Sequence, residues 1–366
     1  MGEKEKARRL SFVEKLSLNF VISSSIYRFP DFFYRSSSLE KLRVSYILIL
    51  ECTVSWKSLR KLTLSCCCNL KYESVDNILS GSPMLETLGL HYCTGPVRLD
   101  LSKSRSLRRL KIRDYKGYPN ISGNDRQRLA EIVAPHIHYL KLRSCYKPLT
   151  LVDVSCLMEA HLDIFSGHSS SLALNIPFEE KADFLQTGVL KMLAKLQNAE
   201  RLSFGGSLLQ IMSLAELRGV SFPTFKVQTL TLRTRFAQSF IPGITRLLPG
   251  LRKLIAVPTH IDDIDIEDSD LDSYLDSQGL NPDQCWRSKY DVFPTSDESD
   301  MIVRNEESLW ELVVSFVAMV LRNVMTLEML VVGLNHIDRN FNDAESFEDL
   351  LQMLPNKNNV SIVLKR

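Results

Sequence analysis

A six-residue pattern, apolar-x-x-apolar-x-apolar, recurs along the 366-residue chain and restricts its fold more than any other feature. Eleven copies can be read: VEKLSL from Val13, LEKLRV from Leu39, LRKLTL from Leu59, LETLGL from Leu85, LRRLKI from Leu107, IHYLKL from Ile137, LMEAHL from Leu157, AERLSF from Ala199, VQTLTL from Val227, LRKLIA from Leu251 and LEMLVV from Leu327. Their central apolar residues stand at 16, 42, 62, 88, 110, 140, 160, 202, 230, 254 and 330, so eight of the ten steps are between 20 and 30 residues. The fourth and sixth positions flank one other residue, the period-two spacing of a strand with one buried face. A unit this short cannot bury its apolar side alone and must stack against its neighbours.

Hexamers at this spacing are the signature of leucine-rich repeats, in which each unit supplies one strand and a return segment. The expected fold class is α/β: a leucine-rich-repeat solenoid, or horseshoe, with one curved parallel sheet, short helices on the convex side and an α/β cap at the C-terminal end. ESVDNILSGS, from Glu73, places Val75, Ile78 and Leu79 on one side, with Gly81 and Pro83 to stop it, and predicts a helix. RQRLAEIVAP from Arg126 and TGVLKMLAKLQN from Thr187 predict helices in the same way, whereas LDLSKS at Leu99 and LALNIPF at Leu172 alternate and predict extended segments. Toward the end, EESLWELVVSFVAMVLRN predicts an amphipathic helix. It is followed by a strand around Leu330, a helix near Ala344 to Leu354 and a last strand, VSIVL. The expected organisation is a solenoid over 1–258, an acidic flexible loop over 259–305 and a cap over 306–366.

The acidic loop is expected from charge. Thirteen Asp and Glu residues lie between Asp262 and Asp300 against Arg287 and Lys289, a net of −11 in a chain whose total is only +2. Like-charged blocks of this kind are solvated. One use for it is as a tethered pseudo-ligand of a basic surface elsewhere in the chain. The near-neutral total gives no general argument for nucleic acid or membrane, and no run of about 18 apolar residues marks a span. The opening MGEKEKARRLSF has charge but no apolar stretch, so no signal peptide is expected there. Eight cysteines are then expected as thiols in a reducing compartment, the cytoplasm or nucleus. Cys67, Cys93 and Cys145 each fall three residues after the last apolar position of a hexamer, where a buried thiol fits the turn. His136 and His138 bracket a strand start without a cysteine pair at ligand spacing, and no metal or other cofactor is expected.

The third, fifth and seventh positions of each hexamer alternate with the apolar ones and face the open, concave surface of the sheet. Twelve of these 33 residues are basic: Lys15, Lys41, Arg43, Lys61, Arg109, Lys111, Arg113, Lys141, Arg143, Arg201, Arg233 and Lys253. Only Glu159 and Asp163 are acidic, whereas composition alone would give about four residues of each sign. The excess has two readings: a solvated sheet surface, with Lys and Arg stems covering apolar area, or a partner site for an acidic or phosphorylated protein segment. Nucleic acid is not favoured, because only Tyr139 and His91 could interleave as stacking groups. No Gly-rich phosphate loop, GxSxG elbow or HExxH helix occurs, so an enzyme is not expected.

The runs FFYRSSSLEKLRV, VSWKSLRKLTL, ILSGSPMLETLGLHYC and VRLDLSKSRSLRRLKI resemble the leucine-rich region of plant F-box/LRR-repeat proteins. The tail from Cys285-Trp286 through LVVSFVAMVLRNVMTLEMLVV to NNVSIVLKR resembles the FBD segment that ends many of them. The resemblance implies a non-enzymatic protein-binding module, the substrate-recognition region of an SCF-type ubiquitin ligase receptor. No LPDDIL-like start or SKRW-like end precedes the first hexamer. The docking of a Skp-type adaptor is therefore not carried onto any residue of this chain. The alternatives are a ligase-independent scaffold, an immune-type leucine-rich protein, or a truncated relative without function.

Overall fold

The protein is described by a computed structural model, which covers residues 13–19, 31–46, 53–67, 70–93, 98–113, 131–145, 149–165, 187–206, 208–209, 212, 215, 220, 222–234, 250–258, 306–334 and 354–365. The acidic stretch 262–300, the extended run at Leu172 and the helix expected from 344 lie outside these residues. The chain divides into two compact units, one of Met1–Ala160 with Ser169–Ala173, the other of His161–His168 with Leu174–Arg366.

In the first unit the hexamers become strands β1 (Lys15–Asn19), β2 (Lys41–Ser45), β3 (Lys61–Ser65), β4 (Thr87–His91), β6 (Arg109–Arg113) and β8 (Tyr139–Cys145). Helix α1 (Tyr72–Gly81) and the short strands β5 (Arg98–Asp100), β7 (Glu131–Val133) and β9 (Thr150–Asp153) lie between or after them. The hexamer strands pair in parallel, with Leu16, Leu42, Leu62, Leu88, Leu110 and Leu140 opposite one another in sequence. The sixth-position residues Val44, Leu64, Leu90, Ile112 and Leu142 make a second buried row, and Leu39, Leu59, Leu85, Leu107 and Ile137 a third. Period-two spacing in the sequence thus becomes three apolar ladders, and a slip of one residue would turn these ladders to solvent.

The repeats also join through backbone. The carbonyl of each second hexamer position accepts two amides from the next repeat: Glu86 O, for instance, takes Arg108 N and Arg109 N, each at 2.9 Å. Directly after three consecutive strands stand Tyr46, Cys66 and Tyr92, with φ of 58°, 52° and 56°. Their amides donate to the last carbonyl of the neighbouring strand, Ser65 O, His91 O and Arg113 O, at 2.9, 2.8 and 2.6 Å. A left-handed residue without glycine costs energy. Its recurrence at one repeat position shows that the turn geometry imposes it.

Helix α1 forms where the sequence predicts it and buries Val75, Ile78 and Leu79. It ends at Gly81, where a Cβ would collide with the Val54 carbonyl so that only glycine fits, and the Gly81 carbonyl accepts the Trp56 amide at 2.9 Å. Trp56 packs in turn on Phe33 and Tyr34, and its Nε1 donates to Phe33 O at 2.9 Å.

The helix expected over RQRLAEIVAP is corrected where the structure describes it. Glu131–Val133 is strand β7, paired in parallel with β5 and β9, so that Leu99, Ile132 and Leu151 form a buried row. Ile132 and Val133 are β-branched and favour a pleated surface. Two extended neighbours at the equivalent place in adjoining repeats supply their hydrogen bonds, which outweighs the weak helical periodicity.

The boundary between the units falls within β10 (Glu159–Phe165). The second unit carries helix α2 (187–194) and strands β11 (Arg201–Gly206), β12 (Thr229–Thr234) and β13 (Lys253–Pro258), then helix α3 (Glu306–Asn323) and strands β14 (Met329–Gly333) and β15 (Ser361–Lys365). Strands β11 to β15 pair in parallel with Leu202, Leu230, Leu254, Leu330 and Ile362 opposite one another. The α3 residues Val313, Phe316, Val317 and Val320 are fully buried. The two strands expected in the C-terminal cap therefore extend the same parallel ladder.

Candidate functional site

The in-register strands of the first unit set the face residues in three rows. One row reads Lys15, Lys41, Lys61, Thr87, Arg109, Tyr139; the next Ser17, Arg43, Thr63, Gly89, Lys111, Lys141; the last Asn19, Ser45, Ser65, His91, Arg113, Arg143. Half of these eighteen positions are cationic and none is acidic. The sequence-predicted Lys41, Arg43, Lys61, Arg109, Lys111, Arg113, Lys141 and Arg143 all belong to this one surface, with Lys15 beside them. Lys111, Lys141 and Arg143 are half-buried, and the others are exposed.

Strand spacing of about 4.8 Å brings these cations close enough to perturb one another. Lys111 has its pKa pushed below the ordinary lysine value, first by burial and then by Lys61, Arg109 and Lys141. His91 is likewise lowered, first by burial, then by Arg43, Arg113, Lys111 and Lys141. Three of the cations rest on aromatic faces: Arg109 Cζ lies 4.5 Å and Lys111 Nζ 5.8 Å from the Tyr139 ring centre, and Arg113 Cζ lies 5.2 Å from that of Tyr92. At the β1–β3 end, Lys15, Ser17, Lys41, Arg43, Lys61 and Thr63 surround a shallow depression of about 280 Å³. Such a surface, crowded with positive charge and open, is chemically suited to an extended anionic chain rather than to a reacting small molecule.

Three sequence-predicted residues fall in the second unit, where the environment differs. Arg201 is exposed on β11. Arg233 is spent on an ion pair with Asp163, a face residue that is itself buried. Lys253 is half-buried on a strand whose other face positions, Ile255 and Val257, are apolar.

The basic count alone does not single out Thr63, Gly89, His91 and Tyr92. The signal for them is the interruption at β4: Thr87, Gly89 and His91 include no Lys or Arg, between β3, whose face carries Lys61 with Thr63 and Ser65, and β6, whose face is Arg109, Lys111 and Arg113. Of the turn cysteines, Cys67 is buried and Cys93 is partly exposed, while the Cys145 side chain lies outside the described residues. Among the described residues no helix is long and apolar enough to cross a membrane.

Residues 6–256 match a family model described as the LRR repeats of FBD-associated F-box protein At5g56370. The chain is 45% identical over 349 residues to F-box/LRR-repeat protein At5g02910 of Arabidopsis thaliana, covering 93% of this chain and 71% of that one. To putative F-box/LRR-repeat protein At5g02700 of the same plant it is 48% identical over 354 residues, 94% of this chain and 71% of that one. Probable F-box protein At1g60180, also from Arabidopsis thaliana, is 42% identical over 320 residues, 87% of this chain and 90% of its own length.

Proposed function

The chain belongs to the F-box/LRR-repeat family, and from that premise we propose that it is a protein-binding module whose basic face on β1–β8 holds an acidic segment of a target protein. It serves in this reading as the substrate-recognition region of an SCF-type ubiquitin ligase receptor in the cytoplasm or nucleus. The observation that carries the reading is the sign of the face: nine cations on five of six adjacent strands, with no carboxylate among the eighteen face positions. Sheet solvation alone would be served as well by mixed charges, which avoid like-charge repulsion across strands. The module needs no catalytic group, since the work of recognition is charge complementarity and excluded water.

The test is a comparison of captured proteins. Wild-type chain and a Lys41→Glu/Arg109→Glu variant, both shown to fold by circular dichroism, are expressed in plant cells with the proteasome inhibited. Partners are then identified by mass spectrometry. Loss of a ubiquitylated partner from the variant is the expected result. Identical partner sets would overturn the basic face as the binding surface, and partners that carry no ubiquitin and do not accumulate would favour a ligase-independent scaffold.

A further inference from the structure

The cations of the basic face fall into two groups that differ in what they touch. At the β6–β8 end, Arg109 and Lys111 rest on the Tyr139 ring and Arg113 on that of Tyr92. At the β1–β3 end, Lys15, Lys41 and Lys61 stand in register on adjacent strands, with Arg43 in the next row beside Ser17. All four of these cations are exposed, and among the described residues no carboxylate pairs with any of them. Glu14 and Glu40 precede Lys15 and Lys41 but occupy second hexamer positions, outside the face. Off the face, exposed cations do find partners: Arg60, next to Lys61, lies 2.5 Å from Glu86, and Lys103 lies 3.1 Å from Asp76. Like charges opposite one another on neighbouring strands destabilise a sheet. Three lysines in a row about 4.8 Å apart therefore repel one another in a way that a bound anion relieves.

The same side chains enclose open space. Ser17 is short and exposed, and Lys15, Lys41, Arg43 and Lys61 surround the depression of about 280 Å³ beside it. With about 30 Å³ for each water in the liquid, this is room for several waters or for one tetrahedral anion and its ester link. The depression is shallow, so a group entering it from a bound backbone needs only a short side chain. A carboxylate brings one negative charge and two oxygens. A phosphomonoester brings nearly two charges and three strong acceptor oxygens. Four cations and a hydroxyl match the second better. Arg43 supplies a planar fork that takes two phosphate oxygens at once, and the lysines act as point charges around it.

We propose that the β1–β3 depression is a phosphate subsite, in which a phosphoserine or phosphothreonine of the bound protein segment is held by Arg43, Lys15, Lys41 and Lys61, with the Ser17 hydroxyl donating a hydrogen bond. The proposal rests on the protein-binding reading above and narrows it to a phosphorylated target. The ring-seated cations of β6 then face the carboxylates of the same segment.

The test uses the full chain at low salt and four probes: a short, otherwise neutral peptide with one central phosphoserine, the same peptide with Glu in its place, the same peptide with Ser, and inorganic phosphate. Wild type is expected to bind the phosphopeptide about tenfold or more tightly than the Glu peptide, with inorganic phosphate competing. Lys41→Gln/Arg43→Gln should bring the two affinities together, whereas Arg113→Gln, outside the depression, should leave their ratio unchanged. Ser17→Phe keeps every charge but fills the space, and should lower the phosphopeptide's advantage while the Glu peptide still binds. The Gln pair adds no bulk and serves if Ser17→Phe fails to fold. Equal wild-type affinity for the phosphoserine and Glu peptides would overturn the subsite and leave the basic face standing. So would an advantage that survives Lys41→Gln/Arg43→Gln or a folded Ser17→Phe, or one that Arg113→Gln removes as fully. Binding of neither charged peptide above the Ser peptide would overturn the reading of the face itself, and the subsite with it.

Discussion

The guanidinium of Arg233 on β12 reaches across Gly205 of β11 to hold the carboxylate of Asp163 on β10. A Cβ on Gly205 would collide with Asp163 Oδ1, so the glycine is what allows the two charges to meet over an intervening strand. Asp163 is 5% exposed at its side chain and Arg233 28%. Arg233→Met should therefore cost about 3 kcal/mol, because it leaves a desolvated carboxylate without its partner. The double variant Arg233→Met/Asp163→Asn should recover part of the loss. Urea unfolding of the four proteins measures the coupling, and simple additivity would mean the pair contributes nothing.

A second expectation concerns the leucine ladder. Leu88 and Leu110 face each other on β4 and β6 and are 2% and 0% exposed. Leu→Ala at either should cost about 2 to 5 kcal/mol through lost burial and the cavity left behind. Each repeat is held by its neighbours, so amide exchange should rise on both adjoining strands and not only on the mutated one. A thermal melt of Leu88→Ala that matches the parent would remove this residue from the core.

The repeat was legible because a strict period of two with apolar side chains survives translation into a parallel sheet. All eleven hexamers are strands, and α1 and α3 lie where their periodicity places them. The twelfth rung was seen only as a terminal strand, because the position that should start its hexamer is Asn359 rather than Leu. Asn359 has φ of 53°, a conformation asparagine tolerates better than most residues, and Ser361–Lys365 still pairs residue by residue with β14. Of the three-stranded second sheet only the extended run at Leu99 was legible. EIV is too short to show a period, and its partners are about 33 and 20 residues away in sequence. At the site, counting charges located the basic face. The depression among Lys15, Ser17, Lys41, Arg43 and Lys61 depends on which strands are neighbours and where side chains point, and neither is written in composition.

The turn thiols offer a third expectation. Cys93 Sγ donates to His91 O at 3.4 Å, and its pKa is pushed well above the ordinary thiol value, first by a hydrogen bond with the Cys67 side chain and then by burial. The thiolate is the reactive form, so a raised pKa keeps Cys93 protonated and slow to alkylate at neutral pH. Among the described cysteines, exposed Cys156 should label first. Cys93 should react only after denaturant is added or as the pH is taken well above 9, and buried Cys67 only after denaturant is added. Mass mapping of iodoacetamide adducts against time checks the order, and rapid labelling of Cys93 in native protein at pH 7 would contradict it.

The last expectation follows from the sign of the shift at His91. Burial and then Arg43, Arg113, Lys111 and Lys141 hold its pKa below the ordinary 6.5, so the unfolded chain takes up the proton more readily than the folded one. Stability should therefore rise with pH across the window between the folded-state pKa and 6.5, and should fall as the pH drops through that window. His91→Gln removes the titrating group while keeping a polar side chain on β4. Its stability should vary less with pH in the same window, so that the variant gains on wild type as conditions become acidic. Added salt screens the four cations and should shrink the difference, although the share that comes from burial will remain. Chemical denaturation at a series of pH values, at low and at moderate ionic strength, measures both effects. Parallel stability curves for wild type and variant would show that neither burial nor the cations on β2, β6 and β8 lower the His91 pKa in the folded protein.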